Sequence, residues 1–129
     1  MSNQADCFLC RLPGERILDE CELTRTIRDG FEVSPGHSLI IPKRHVASYF
    51  ALTIEEHAAL SAALQRAKQL LDEEFHPDSY TIGINDGISA GQSIPHLHIH
   101  LIPRYQGDVE NPRGGVRWVL PERADYWTK

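Results

Sequence analysis

The sequence predicts one small domain of strands with a single long helix. Three observations predict it. Four short segments carry strand character, one long segment carries a helical apolar stripe, and the run His96-Leu97-His98-Ile99-His100-Leu101 alternates histidine with apolar residues. The chain has 129 residues, enough for one core but not for two.

In chain order, Glu22 to Arg28 alternates loosely, and His37 to Pro42 contains Leu39-Ile40-Ile41. Both read as strands. The helix follows. Thr53 is its expected N-cap, and Thr53-Ile54-Glu55-Glu56 fits a capping box. Leu60, Leu64, Ala67, Leu71 and Phe75 then form one apolar stripe, while His57 falls on the polar side. His76-Pro77 ends the helix, because proline lacks an N–H and restricts the residue before it. In the third strand, Ser79 to Asn85, the residues Tyr80, Ile82 and Ile84 share one side. The fourth is His96 to Ile102, bounded by Pro95 and Pro103. Val116 to Leu120, after Gly114-Gly115, is a further candidate strand, and Trp118, Tyr126 and Trp127 read as packing residues.

Composition is ordinary for a globular chain, with 41% hydrophobic and 24% charged residues. No apolar run approaches a membrane span and no basic-then-apolar leader opens the chain, so a cytoplasmic protein is expected. A net charge of −5 argues against non-specific nucleic-acid binding, which needs basic surface. It does not exclude a small anionic ligand held by local donors. The cysteines are Cys7, Cys10 and Cys21. An odd count does not suggest a disulfide framework.

The histidine run carries the chemistry. On a strand, His96, His98 and His100 share one face and Leu97, Ile99 and Leu101 the other. The plain alternative is a polar, solvent-facing strand side. Same-face residues two apart stand about 7 Å apart at Cα, and those four apart about 13 Å. One ion could take His96 and His98 but hardly His96 and His100. A central reactive imidazole, His98, with helpers on each side fits better. A neutral histidine with an unshifted pKa of about 6.5 is largely deprotonated at neutral pH and can attack an electrophile. Asp86 to Pro95 is too long for a tight hairpin and feeds straight into the histidines. Its Gly87 and Gly91 allow close backbone approach, and Gln92 and Ser93 offer neutral donors. An ordinary surface loop is the alternative there.

These residues resemble the histidine triad (HIT) superfamily of nucleotide hydrolases and transferases. The likeness covers His96 to Ile102, Ser34-Pro35-Gly36-His37, Ile41-Pro42-Lys43-Arg44-His45, Asn85-Asp86-Gly87, Ala90-Gly91-Gln92-Ser93 and Ile102-Pro103-Arg104. It implies an α+β fold with a curved antiparallel sheet, one long helix, a short N-terminal helix and a homodimer. It implies one HIT domain over 1–129, with a core at 7–104 and an extension at 105–129. It implies a purine nucleotide conjugate as substrate, attacked at the α-phosphorus by His98. A nucleotidyl-histidine intermediate then passes to water or another acceptor. His37 and His100 would complete the catalytic histidine cluster. Asn85, Gly91, Gln92 and Ser93 would contact the phosphates. Asp29, eight residues before His37, stands where the family places a ribose-binding residue; a turn residue in Asp29-Gly30 is the other reading.

Cys7-Phe8-Leu9-Cys10 supplies two soft ligands of the four that a structural zinc needs. The resemblance implies that His45 and His96 complete the set, as in some bacterial members of the family; other branches lack the cysteines. Two reduced cysteines without metal are the alternative. No organic cofactor is expected. Substrates consistent with the resemblance are dinucleoside polyphosphates, nucleoside phosphoramidates and related adenylates. The Phe50-Ala51-Leu52-Thr53 turn and the Gly107-Asp108 step lean towards the first. A metalloenzyme with His96 and His98 as ligands, and a non-catalytic nucleotide-binding module, are the competing functions.

Overall fold

The computed structural model describes residues 4–128, so part of the polar opening, residues 1–3, lies outside the described residues. Five strands form one antiparallel sheet: β1 Ile17–Glu20, β2 Thr24–Arg28, β3 Ser38–Pro42, β4 Ser79–Gly83 and β5 Ile99–Arg104. Their order is β1-β2-β3-β5-β4, so the last strand inserts between β3 and β4. The long helix α1 spans Ile54–Phe75. The architecture is the α+β arrangement expected.

The capping box of α1 forms as read. The Glu56 N–H donates to Thr53 Oγ1 at 3.0 Å, and the Thr53 N–H donates to Glu56 Oε1 at 2.9 Å. Such a cap contributes about 1 kcal/mol. The helix ends at Phe75, with His76 in the left-handed region at φ 50°. Leu60, Ala63, Ala67 and Leu71 pack on Ile40, Leu97, Ile99 and Leu101, with Leu64 and Phe75 at the margin. That cluster fills one face of the sheet.

The opposite face holds Cys7, Leu9, Ile27, Leu39 and Ile41. Leu39 pairs with His100, so the histidine side of β5 lies on this second face. β3 is covered on both faces, and all five of its residues are buried. Gly36 brings the turn before β3 against α1. Its φ is 91°, and a Cβ there would stand 2.9 Å from Leu71 Cδ2. This close approach sets the turn that places His37 immediately before β3.

Some elements differ from expectation. β1 had no clear alternation in sequence and was missed. The N-terminal helix takes the form of 3-10 turns at Gln4–Asp6, Phe8–Cys10 and Gly14–Arg16. The candidate strand at Val116 to Leu120 is a correction: Gly115–Val119 is a 3-10 turn. Gly114 at φ 93° sets up that turn, and the Trp118 indole N–H closes back on the Arg113 carbonyl at 2.8 Å. The fourth strand starts at Ile99 and runs to Arg104 through Pro103. Pro103 is tolerated because β3 pairing ends at Leu101. His96 and His98 therefore precede the ladder. No described helix is long and apolar enough to cross a membrane.

Candidate active site and metal centre

The histidines divide into two groups on the second face. His98, His100 and His37 line a cavity of about 510 Å³ with Asp29, Asn85 and Ser93. Phe8, Leu9, Ile27, Phe31 and Leu39 supply its apolar wall, and Arg16 its one cationic side chain. A second hollow of about 580 Å³ lies over β4, Arg104 and residues 105–110 and is lined by neither histidine nor cysteine.

Hydrogen bonds set the tautomers of the cavity histidines. The nitrogen His98 Nδ1 lies 2.8 Å from the His96 carbonyl oxygen, which can only accept. Nδ1 therefore carries the proton, and Nε2 keeps its lone pair. The Val33 N–H donates to His37 Nδ1 at 3.2 Å. A neutral His37 then carries its proton on Nε2, 3.0 Å from His100 Nδ1. His100 accepts there, which leaves its own Nε2–H as a donor. Asp29 Oδ2 lies 3.5 Å from His37 Nε2. Burial pushes both His37 and His100 below the ordinary imidazole range; neighbouring His98 and His37 add to the shift at His100, while Asp29 opposes it at both. The arrangement is a directed line of donors ending beside one free imidazole lone pair.

The loop before the histidines is held by its own side chains. Gln92 Oε1 accepts from the Gly87 N–H at 2.8 Å, and Gln92 Nε2 donates to the carbonyls of Ala47 at 2.9 Å and Ile94 at 3.2 Å. The Gly91 N–H donates to the Ile88 carbonyl at 2.9 Å, with φ 96°. Gly91 and Gln92 thus shape the loop and lie outside the cavity lining, whereas Asn85 and Ser93 lie within it. Asp86 pins the facing segment by accepting from Ser48 Oγ at 3.1 Å and the Tyr49 N–H at 2.8 Å. Sequence reasoning missed Asp86, Arg16, Phe8 and Phe31. Asp86 and Phe8 stood inside quoted motifs, but as neighbours of the residues singled out there.

The second group is Cys7, Cys10, His45 and His96, whose ligand atoms all lie within 4.8 Å of one another. Cys10 Sγ is 3.2 Å from His45 Nδ1 and 3.3 Å from His96 Nδ1, and Cys7 Sγ is 3.5 Å from His96 Nδ1. Tetrahedral zinc, with bonds of about 2.3 Å to sulfur and 2.0–2.1 Å to nitrogen, separates neighbouring ligand atoms by roughly 3.3–3.8 Å. The three sulfur–nitrogen contacts lie close to those separations and all four ligand atoms lie within 4.8 Å of one another, so the donor set suits a tetrahedral zinc. His96 Nε2–H donates to the Pro42 carbonyl at 2.8 Å, so Nδ1 is the unprotonated nitrogen turned to the sulfurs. Burial pushes the Cys10 thiol up to about 11, with Cys7 adding to the shift. His96 and His98 do not share one metal-binding grouping among the described residues.

The HIT domain family model matches residues 14–107. The chain belongs to the HIT family. It is 46% identical over 79 residues to a bis(5'-adenosyl)-triphosphatase of Dictyostelium discoideum, covering 61% of this chain and 53% of that one. It is 34% identical over 95 residues to an asymmetrical bis(5'-nucleosyl)-tetraphosphatase of Schizosaccharomyces pombe, covering 74% and 52%. The chain spans about half the length of these curated relatives. Among solved structures, a zinc-bound histidine triad family protein from Mycobacterium smegmatis superposes with a TM-score of 0.73 at 34% identity, over 82% of this HIT chain and 80% of that one. A HIT family protein from Bacillus anthracis superposes at 0.72 and 34% identity, over 80% and 76%.

Proposed function

We propose that this HIT protein hydrolyses dinucleoside polyphosphates by covalent catalysis at His98. The observation that carries the reading is the 2.8 Å contact from His98 Nδ1 to the His96 carbonyl. It leaves Nε2 as a nucleophile facing the cavity. In the first step the Nε2 lone pair forms a bond to the α-phosphorus, and the bond from phosphorus to the bridging oxygen breaks. The departing nucleotide carries away that electron pair. The His98 ring becomes cationic, so its Nδ1–H donates more strongly to the His96 carbonyl as charge develops. In the second step water attacks phosphorus, the P–N bond breaks and His98 regains its lone pair. The water's proton passes to solvent. His100 Nε2–H donates to a phosphate oxygen in both steps, oriented by His37.

The apolar wall from Phe8 to Phe31 fits a purine, and the Asp29 carboxylate fits ribose hydroxyls. Asn85 and Ser93 stand at the phosphate end, with Gly91 and Gln92 holding the loop that presents them. The names of the two curated relatives support dinucleoside polyphosphates over phosphoramidates. Cys7, Cys10, His45 and His96 hold one structural zinc in this reading, supported by their convergence and by the zinc-bound neighbour. Zinc there would cross-link the N-terminal segment to the sheet.

The reading includes a twofold dimer. β4 is an open edge, and Ile82 on it is half exposed. Light scattering at micromolar concentration should give twice the chain mass; a monomer counts against the dimer.

The mechanism is tested by turnover of diadenosine triphosphate, diadenosine tetraphosphate and adenosine phosphoramidate, quenched in base. Peptide mapping should place a nucleotidyl group on His98, because a phosphoramidate survives base better than acid. A label on another residue, or turnover without any labelled peptide in rapid-quench samples, overturns it.

A further inference from the structure

His96 joins the two histidine groups through opposite ends of one residue. Its ring sits among Cys7, Cys10 and His45. Its main-chain carbonyl receives the His98 Nδ1–H. The sheet does not hold that carbonyl, because β5 begins at Ile99 and β3 pairing reaches only Ile99. What holds it is the ring, clamped between the Pro42 carbonyl at 2.8 Å and the two sulfurs, together with short main-chain bonds on either side. The His96 N–H donates to the Ile94 carbonyl at 2.8 Å, and the Leu97 N–H to the Val46 carbonyl at 2.7 Å.

The geometry points to the Cys7–Cys10–His45–His96 cluster as a positioning device for His98, acting through the His96 carbonyl on the tautomer of the nucleophile. Cys7, Cys10 and His45 are then positioning residues for the reaction as well as a staple for the fold. A ligand bond to His96 Nδ1 fixes the ring and, through it, the direction of the carbonyl. When the cluster holds no ion, the ring keeps its Pro42 contact and its weaker contacts with the two thiols and His45, but no ligand bond fixes it. The main-chain bonds to Ile94 and Val46 still hold the peptide, but its carbonyl loses the part of its aim that the ring supplies, and His98 partitions in part to the tautomer protonated on Nε2, which has no lone pair facing the cavity. Asp29, Asn85 and the apolar wall do not pass through His96, so substrate binding should persist. An imidazole in the wrong tautomer can cost as much as about 10⁴-fold in rate. Loss of an outer support for a site group typically costs about 10–100-fold, and the smaller range applies here because the Pro42 contact remains.

This inference rests on His98 being the nucleophile. The experiment uses full-length protein stripped with a chelator and reloaded stepwise with zinc, alongside the variant His45→Gln. His45 is the ligand farthest from the His98 contact in the chain of bonds. Long-range ¹H–¹⁵N spectra of the histidine rings report the His98 tautomer without any substrate. The zinc-loaded protein should show His98 protonated on Nδ1. The stripped protein and His45→Gln, while still folded by circular dichroism, should show a mixed population, with kcat lowered about 10–100-fold and KM nearly unchanged. Zinc should restore both readouts in the wild type with the same stoichiometry. An unchanged His98 tautomer in folded, zinc-free protein overturns the inference. If stripping unfolds the wild type, the folded His45→Gln protein decides alone, and a loaded-type spectrum there overturns it too. Full activity of His98→Ala would overturn the nucleophile assignment instead, while leaving the tautomer result to stand or fall by itself.

Discussion

His96 and His98 lie two residues apart, both are buried, and each makes a contact to a backbone carbonyl, yet they face different chemistry. The His96 ring gives its Nε2–H to Pro42 and turns Nδ1 to the cysteines. The His98 ring gives its Nδ1–H to His96 and keeps Nε2 for the cavity. Which nitrogen is free thus separates a candidate metal ligand from a candidate nucleophile. The difference teaches that a repeated residue type on one stretch of chain acquires its role from the acceptor its second nitrogen meets.

The comparison breaks most decisively at His98. His98→Ala should lower kcat by more than about 10³-fold, since it removes the covalent step itself. Binding of a non-hydrolysable dinucleotide, measured by calorimetry, should change little. A variant that keeps wild-type turnover would erase the distinction between the two residues.

On the other side, Cys7→Ser should destabilise the fold strongly, by about 4 kcal/mol or more, as expected for loss of a metal site. Urea unfolding with and without chelator checks this, together with metal analysis. Superimposable curves and no zinc in carefully prepared wild type would leave two ordinary reduced cysteines beside two histidines.

His100→Ala sharpens the picture within the cavity. Removing one donor to the phosphate should cost about 10²–10³-fold in kcat, less than His98→Ala. The acid limb of the wild-type profile belongs to the same line of rings. Burial holds the His37 and His100 pKa values below the ordinary imidazole value, so their neutral, connected form is complete at neutral pH and is lost only as pH falls through those depressed values. A profile that rises on acidification through this range would contradict the neutral tautomer chain.

The smallest effect concerns the support behind both groups. Arg44, one residue before His45, pairs with Glu56 at 2.8 and 2.9 Å. That guanidinium, first among the causes, lowers the Glu56 pKa from 4.5 to about 2. Because the folded value is depressed, the stabilisation is full above pH 4.5 and disappears as pH falls towards about 2. Glu56→Gln should therefore cost about 1–3 kcal/mol at neutral pH and flatten that part of the acid denaturation curve. Unchanged pH dependence in the variant would show the pair to be inert.

Much of the architecture was legible because it follows local rules. The cap at Thr53, the stripe from Leu60 to Phe75 and the stop at His76-Pro77 each rest on contacts within a few residues. β1 was not legible, since Ile17 to Glu20 gains its strand character from pairing with β2. The C-terminal segment misled because Val116 to Leu120 looks β-forming, whereas Gly114 and the Trp118 bond to Arg113 turn it. In the loop, Gln92 and Gly91 were readable as important but not as engaged with Ala47, Ile94 and Ile88, partners invisible to spacing.

The sequence by itself determined the order of the long helix and of four of the five strands, the family, and the set of histidines and cysteines that matter. Alternation and motif spacing are properties of neighbouring residues, and a chain carries them before it folds. The family resemblance implied that His96 goes with Cys7 and Cys10 and that His98 and His100 go together, but only the tertiary structure supplies the contacts that turn His96 to the cysteines and His98 and His100 to the cavity. Those outcomes depend on residues up to 89 positions away. They also depend on where the ladder of β5 begins, because a strand's strict alternation binds only the residues that pair. His96 and His98 stand just before that point, free to be aimed by hydrogen bonds instead of by the pleat.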